Sequence, residues 1–155
     1  MVDYFHKLSD YLPRPPVGGG ILPYWLLFIS VVSVFNSAQL YQKDLTLTRK
    51  VYENEADPAH GKPQVTNLSA RTFGTWTLIT SIVRLYGAYH LGNPQVYLLV
   101  QWTYVVAFWH FFSEWLVYGT CKFGKGIAGP AIVATTSLVW MYLQKPYYVG
   151  QLVQF

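Results

Sequence analysis

Apolar residues dominate four stretches of the chain, about 21–41, 72–90, 95–118 and 127–143, and polar or turn-forming residues collect between them. A helix rises about 1.5 Å per residue and a bilayer core is roughly 30 Å thick, so each stretch suits a membrane-spanning helix or most of one. The breaks are chemically distinct. Residues 1–20 form a polar arm closed by Pro13-Arg14-Pro15-Pro16 and Gly18-Gly19-Gly20, a linker that cannot propagate a helix. Residues 42–71 form the one long polar loop, with Asp57-Pro58 as a turn inside it. Gly92-Asn93-Pro94 separates the second stretch from the third, the run Gly119 to Gly126 separates the third from the fourth, and Lys145-Pro146 is expected to end the fourth before a short tail at 149–155. The expected fold is an all-α membrane protein, four transmembrane helices in a compact bundle, with residues 21–148 as the membrane domain. A three-span alternative treats Pro94 as a kink.

Two arginines complicate the second stretch. Twelve uncharged residues separate Arg71 from Arg84, and twelve helical residues cover only about 18 Å. One arginine must therefore lie well inside the hydrocarbon or stretch out of it, and intramembrane charges are usually paired or functional. Antiparallel helices around a turn near 92–93 place residues whose numbers sum to about 185 at similar depth, which sets Arg84 level with Gln101 and Arg71 level with Glu114. The same count puts Asn36 and Gln39 in the equivalent third of the first span and Thr75 level with His110. An internal polar cluster of Asn36, Gln39, Arg71, Thr75, His110 and Glu114 is expected, with Arg84 as a deep charge reaching toward Gln101 or the headgroups. Hydroxyl and small residues mark the faces that let helices approach: Ser30, Ser33 and Ser37 in the first span, Thr77, Thr80, Ser81, Arg84 and Ala88 in the second, Thr103, Ala107, His110 and Glu114 in the third.

Composition fits a membrane protein: 52% of the residues are hydrophobic, 18% aromatic and 12% charged, about half the charge of an ordinary soluble domain. The net charge of +4 reflects scarce acids and no basic block, so nucleic acid is not an expected partner. The start of the chain lacks the charged beginning and apolar run of a cleavable signal peptide, so the first span is expected to serve as its own signal. Lys7, Arg14 and Lys145 fall on one side of a four-span bundle, against Lys43, Arg49, Lys50, Lys62, Arg71, Lys122 and Lys125 on the other. The positive-inside rule then puts loops 42–71 and 119–126 in the cytosol and both termini in the lumen. Asn67-Leu68-Ser69 matches a glycosylation acceptor, and a glycan there would reverse that orientation.

Chemical motifs are few. The lone Cys121 allows no internal disulfide or thiolate cage; it reads as an ordinary thiol, with palmitoylation as the alternative. His6, His60, His90 and His110 share no metal-ligand spacing. Tyr118 and Lys122 have the spacing of a short-chain dehydrogenase pair, but no strand-glycine-helix unit precedes them. No cofactor or metal is expected. Leu116 to Lys122 and Arg71 to Leu78 fit proposed cholesterol patterns in forward and reverse sense, which are weak in so aromatic a chain.

The blocks Leu68-Ser69-Ala70-Arg71-Thr72-Phe73-Gly74-Thr75-Trp76-Thr77-Leu78, Trp102-Thr103-Tyr104 and His110-Phe111-Phe112-Ser113-Glu114-Trp115-Leu116-Val117-Tyr118-Gly119-Thr120, with the turn Asn93-Pro94-Gln95-Val96-Tyr97, resemble the ergosterol biosynthesis protein 28 family over about residues 21–148. The arm and the acidic insertion around Glu53–His60 are the least family-like parts. The resemblance implies a multispan endoplasmic-reticulum protein that tethers sterol C-4 methyl oxidase, 3-hydroxysteroid decarboxylating dehydrogenase and 3-keto sterol reductase, with a link to sterol C-24 methyltransferase in fungi and no catalytic residues of its own. The expected function is a noncatalytic scaffold in contact with membrane lipid, whose physical advantage is effective concentration. The alternative is a small intramembrane sterol-binding protein or sterol-modifying enzyme that uses His110 and Glu114, four apart on one helical face, to move protons. A transporter would need a continuous polar path, which one polar third of a bundle does not supply.

Overall fold

The computed structural model describes residues 11–15, 19–52 and 65–149. The start of the arm, the Asp57-Pro58 turn, the acidic insertion and the tail beyond 149 lie outside the described residues. Among those described there are five helices and no strand: α1 Leu22–Leu40, α2 Thr46–Val51, α3 Asn67–His90, α4 Pro94–Leu116 and α5 Lys125–Val149.

Local chemistry sets most of the boundaries. Pro23 opens the first turn of α1, where its missing N–H costs nothing. Thr66 and Ser69 form a capping box at the start of α3, each hydroxyl accepting from the other's backbone N–H, at 3.1 and 2.8 Å. Asn93 caps α4 by accepting from the amides of Gln95 and Val96, and Pro94 follows at the first helical position. The Gly92-Asn93-Pro94 segment is thus a true break between helices, which removes the kinked three-span alternative.

Among the described residues three helices, α1, α4 and α5, are long and apolar enough to cross a membrane. The expected four spans are thus matched by composition in three. α3 has the length, 24 residues or about 36 Å, but carries both arginines and a run of threonines. Its hydroxyls turn back onto its own carbonyls: Thr72 onto Leu68, Thr75 onto Arg71, Thr77 onto Phe73, Thr80 onto Thr77 and Ser81 onto Leu78, all at 2.7–3.0 Å. A hydropathy count scores these side chains as polar although the helix itself satisfies them.

Two boundaries differ from expectation. The 42–71 loop contains α2, whose start is held by Asp44: its carboxylate accepts from the Thr46 amide at 2.9 Å and the Thr46 hydroxyl at 2.5 Å. Those two bonds, side chain first, hold the Asp44 carboxyl below its usual range. Pro146 does not end the fourth long helix, which continues to Val149. A proline there forfeits the bond to the exposed Tyr142 carbonyl, while Tyr148 pins the final turn by stacking on Tyr97 and accepting from the Leu22 amide at 3.3 Å.

Packing is closest between α1 and α3, then between α4 and α5. Ser37 donates to the Gly74 carbonyl at 2.7 Å, and a Cβ on Gly74 would come within 3.1 Å of Leu40 and Tyr41. Gly87 lets α3 approach α4 at Val100. Tyr97 donates to the Met141 carbonyl at 2.6 Å, tying α4 to α5. α1 and α5 are joined at one end, where Trp25 Nε1 donates to Ser137 at 2.9 Å, the Trp25 and Trp140 rings lie 6.3 Å apart, and Tyr148 meets Leu22. Direct contacts between the two helices are few, and toward the other end Leu40 shares a buried cluster with Phe73, Phe111, Ile127 and Ala131.

Candidate functional site

Among the described residues, two clefts that enter the bundle stand out. The first, about 470 Å³, lies where α2, the start of α3 and the end of α4 meet; Thr48, Tyr52, Ser69, Phe73, Trp76, His110, Glu114 and Thr120 are among its walls. His110 sits in an aromatic box, with ring contacts to Tyr52, Trp76 and Phe111, and its Nε2 pairs with the Tyr52 hydroxyl at 2.6 Å. Burial, reinforced by the nearby Cys121 and Glu114, pushes the Tyr52 phenol well above its ordinary range, so it remains a neutral hydroxyl. The Glu114 carboxylate accepts from the Thr120 hydroxyl. Thr48 Oγ1 is buried without a hydrogen-bond partner, an unusual position for a polar group.

The expected polar cluster is divided among different faces. His110 and Glu114 share the first cleft. Thr75 is exposed and pairs with the Tyr41 hydroxyl at 2.7 Å. Gln39 and Arg71 are exposed, and Asn36 is half-buried on the second cleft. Among the described residues no ion pair joins Arg71 to Glu114. Counting residues from a turn gives depth but not azimuth: Arg71 stands about 200° around α3 from Phe73, which faces the cleft.

The second cleft, about 320 Å³, has walls from α1, α3, α4 and α5, with Asn36, Phe73, Arg84, Phe111 and Val133 among its lining residues. Arg84 is only 6% exposed. Its Nε donates to Thr103 Oγ1 at 3.0 Å and its Nη2 to the Thr103 carbonyl at 3.3 Å, while the guanidinium lies 4.0 Å from the centre of the Tyr104 ring. The depth count is met within two residues, but Thr103 replaces Gln101 as partner because Gln101 lies about 200° away on α4.

Sequence reasoning missed Tyr52, Thr48 and Trp76. Thr48, Val51 and Tyr52 have the three-and-four spacing of one helical face, a signal short enough to be lost among the surrounding charges.

Comparison with known proteins covers the stretch of chain that holds both clefts. The sequence pattern described as "Erg28 like protein" matches residues 22–139. The chain is 60% identical to ergosterol biosynthetic protein 28 of Candida albicans over 150 residues, covering 97% of this chain and 100% of that protein. It is 56% identical to the Saccharomyces cerevisiae protein of the same name over 131 residues, 84% of each. It is 35% identical to the human homologue over 128 residues, 82% of this chain and 86% of that one. No solved structure matches.

Proposed function

The chain belongs to the Erg28-like family, and from that premise we propose that it is a noncatalytic scaffold of ergosterol biosynthesis in the endoplasmic-reticulum membrane. Its clients are sterol C-4 methyl oxidase, 3-hydroxysteroid decarboxylating dehydrogenase and 3-keto sterol reductase, with sterol C-24 methyltransferase as a further one. The observation that carries this reading is the outer face of α4. Leu99, Trp102, Val106 and Trp109 are all exposed at the alternating three-and-four spacing of a helix-pairing seam. Trp102 and Trp109 are 56% and 71% exposed, yet lie about 10 Å or more along the axis from either end of the helix. Membrane tryptophans gather at the headgroup level, whereas buried tryptophans anchor interfaces. This face suits the helix of a membrane partner.

Co-purification from mild detergent tests the reading. The wild-type chain should recover the demethylation enzymes, the double variant Trp102→Ala with Trp109→Ala should lose most of them, and Ile82→Ala on the outside of α3 should not. Recovery of none by the wild-type chain would overturn the scaffold.

We place α3 in the membrane as a fourth span, on the strength of its length, its self-satisfied hydroxyls and its close packing along α1. Loops 42–71 and 119–126 are then cytosolic and the termini luminal. In a Cys121→Ser background, single cysteines at Asn93 and Lys145 should both be blocked by an impermeant thiol reagent from the luminal side, and ones at Lys43 and Lys122 only from the cytosol. Labelling of 43 and 93 from the same side would refute α3 as a span.

The first cleft favours one second reading, a sterol-modifying or sterol-binding site that uses His110 and Glu114 beside the unpartnered Thr48. Reconstituted with sterol intermediates, such a protein would show turnover or binding that His110→Ala abolishes. Unchanged sterol flux in that variant would dismiss it.

A further inference from the structure

We propose that the second cleft is a binding site for a sterol that carries a carboxylate, with the carboxylate held by Arg84. The sterol part rests on the function proposed above; the carboxylate part rests on geometry. Arg84 is a buried cation with no acidic partner among the described residues, and a buried charge normally has a counter-ion. Thr103 takes two of its bonds, whereas a guanidinium offers five N–H donors in a planar fork that matches a carboxylate. The rest of the cleft is built for an apolar body: Ile29, Phe73, Phe111 and Val133 line it, with half-buried Asn36 toward the far end. From Phe73 to Arg84 the wall runs eleven residues along α3, about 16 Å, and the volume of about 320 Å³ lies within the usual range for small-molecule sites. Entry is lateral, because Val32 of α1 lines the cleft and is also exposed on the outer apolar flank of the bundle. A membrane-dissolved ligand can therefore reach Arg84 without crossing water.

The test uses the full chain in phosphatidylcholine nanodiscs and three radiolabelled probes: cholesteryl hemisuccinate, ergosterol and oleate. The wild-type chain should bind the hemisuccinate about tenfold or more tightly than ergosterol, the scale expected for hydrogen bonds to a charged group, and more tightly than oleate. Arg84→Gln should reduce that preference to near parity, while Arg84→Lys, which keeps the charge but loses the fork, should retain part of it. Val133→Trp should fill the cleft and weaken hemisuccinate binding whether or not the arginine variants fold. Parity of hemisuccinate with ergosterol in the wild type, a preference that survives Arg84→Gln, or unchanged binding by Val133→Trp would overturn the site. Equal binding of oleate would overturn the sterol assignment. If these fail while demethylation enzymes still co-purify, the scaffold stands without the site; if the hemisuccinate binds selectively and no enzyme co-purifies, the scaffold fails and the carboxylate site remains.

Discussion

Gly87 faces Val100 so closely that any Cβ at position 87 would overlap the valine side chain. Gly87→Ala should therefore lower the melting temperature in detergent, at a cost of about 1–3 kcal/mol for overpacking. Val100→Ala in the same chain should recover part of that loss, since the two changes share one contact; strictly additive losses would show that the helices do not meet there. Cys121 offers a second test at this scale. It is buried in the loop before α5, and burial, with the Glu114 carboxylate adding and the Thr120 hydroxyl opposing, pushes its thiol up to about 11. Because the thiolate is the reactive form, alkylation of the folded protein should keep accelerating as pH rises from 9 toward 11, where the unfolded chain has already levelled off. A plateau by about pH 10 in the folded protein, as for an ordinary thiol, would contradict the burial. An inert thiol also disfavours palmitoylation at this position.

Among the elements, α2 depends most on its neighbours. It is six residues long, far too short to persist alone, and rests on α5 at Gly126, where an added Cβ would overlap the Lys50 carbonyl. Gly126→Ala should dislodge α2 and raise the rate of tryptic cleavage at exposed Lys50 about tenfold, while the proteolysis of α1 and α3 is unchanged. Thr66→Ala, which removes half of the capping box, should cost about 1 kcal/mol and fray the start of α3. The long helices were legible in the sequence because glycine, asparagine and proline punctuate them at 92–94 and because α1, α4 and α5 are long apolar runs with few charges. α2 was not, since its apolar side is written in Thr48, Val51 and Tyr52 alone. Pro146 misled for a related reason: proline chemistry is local, and the ring of Tyr148 that holds the last turn in place comes from tertiary packing. Of the candidate site, depth was readable and azimuth was not. That is why Arg84 sits at the expected level with a different partner, and why Arg71 and Glu114 share a level without meeting.

At the scale of the whole molecule, the bundle separates two tasks by direction. Its outward α4 face presents tryptophans to whatever lies beside it in the membrane, and its two clefts open elsewhere. The topology experiment belongs to this scale, because the four proposed spans would place the arm and the tail on one side and both polar loops on the other. The one-ended union of α1 and α5 has a mechanical consequence. Two rods pinned near Trp25 and Tyr148, with α2 packed on α5 at Gly126 as a link toward the other end, act as sprung tongs, so a tilt at the pin changes the gap between them. Bilayer thickness changes helix tilt, and a thicker or thinner host membrane thereby gains leverage over the mouth of the Arg84 cleft. Weakening the pin by Trp25→Phe, which deletes the bond to Ser137, should widen the jaws and raise crosslinking of a lipid-borne carbene probe to Val133; unchanged crosslinking would show that the jaws are held by something other than the pin.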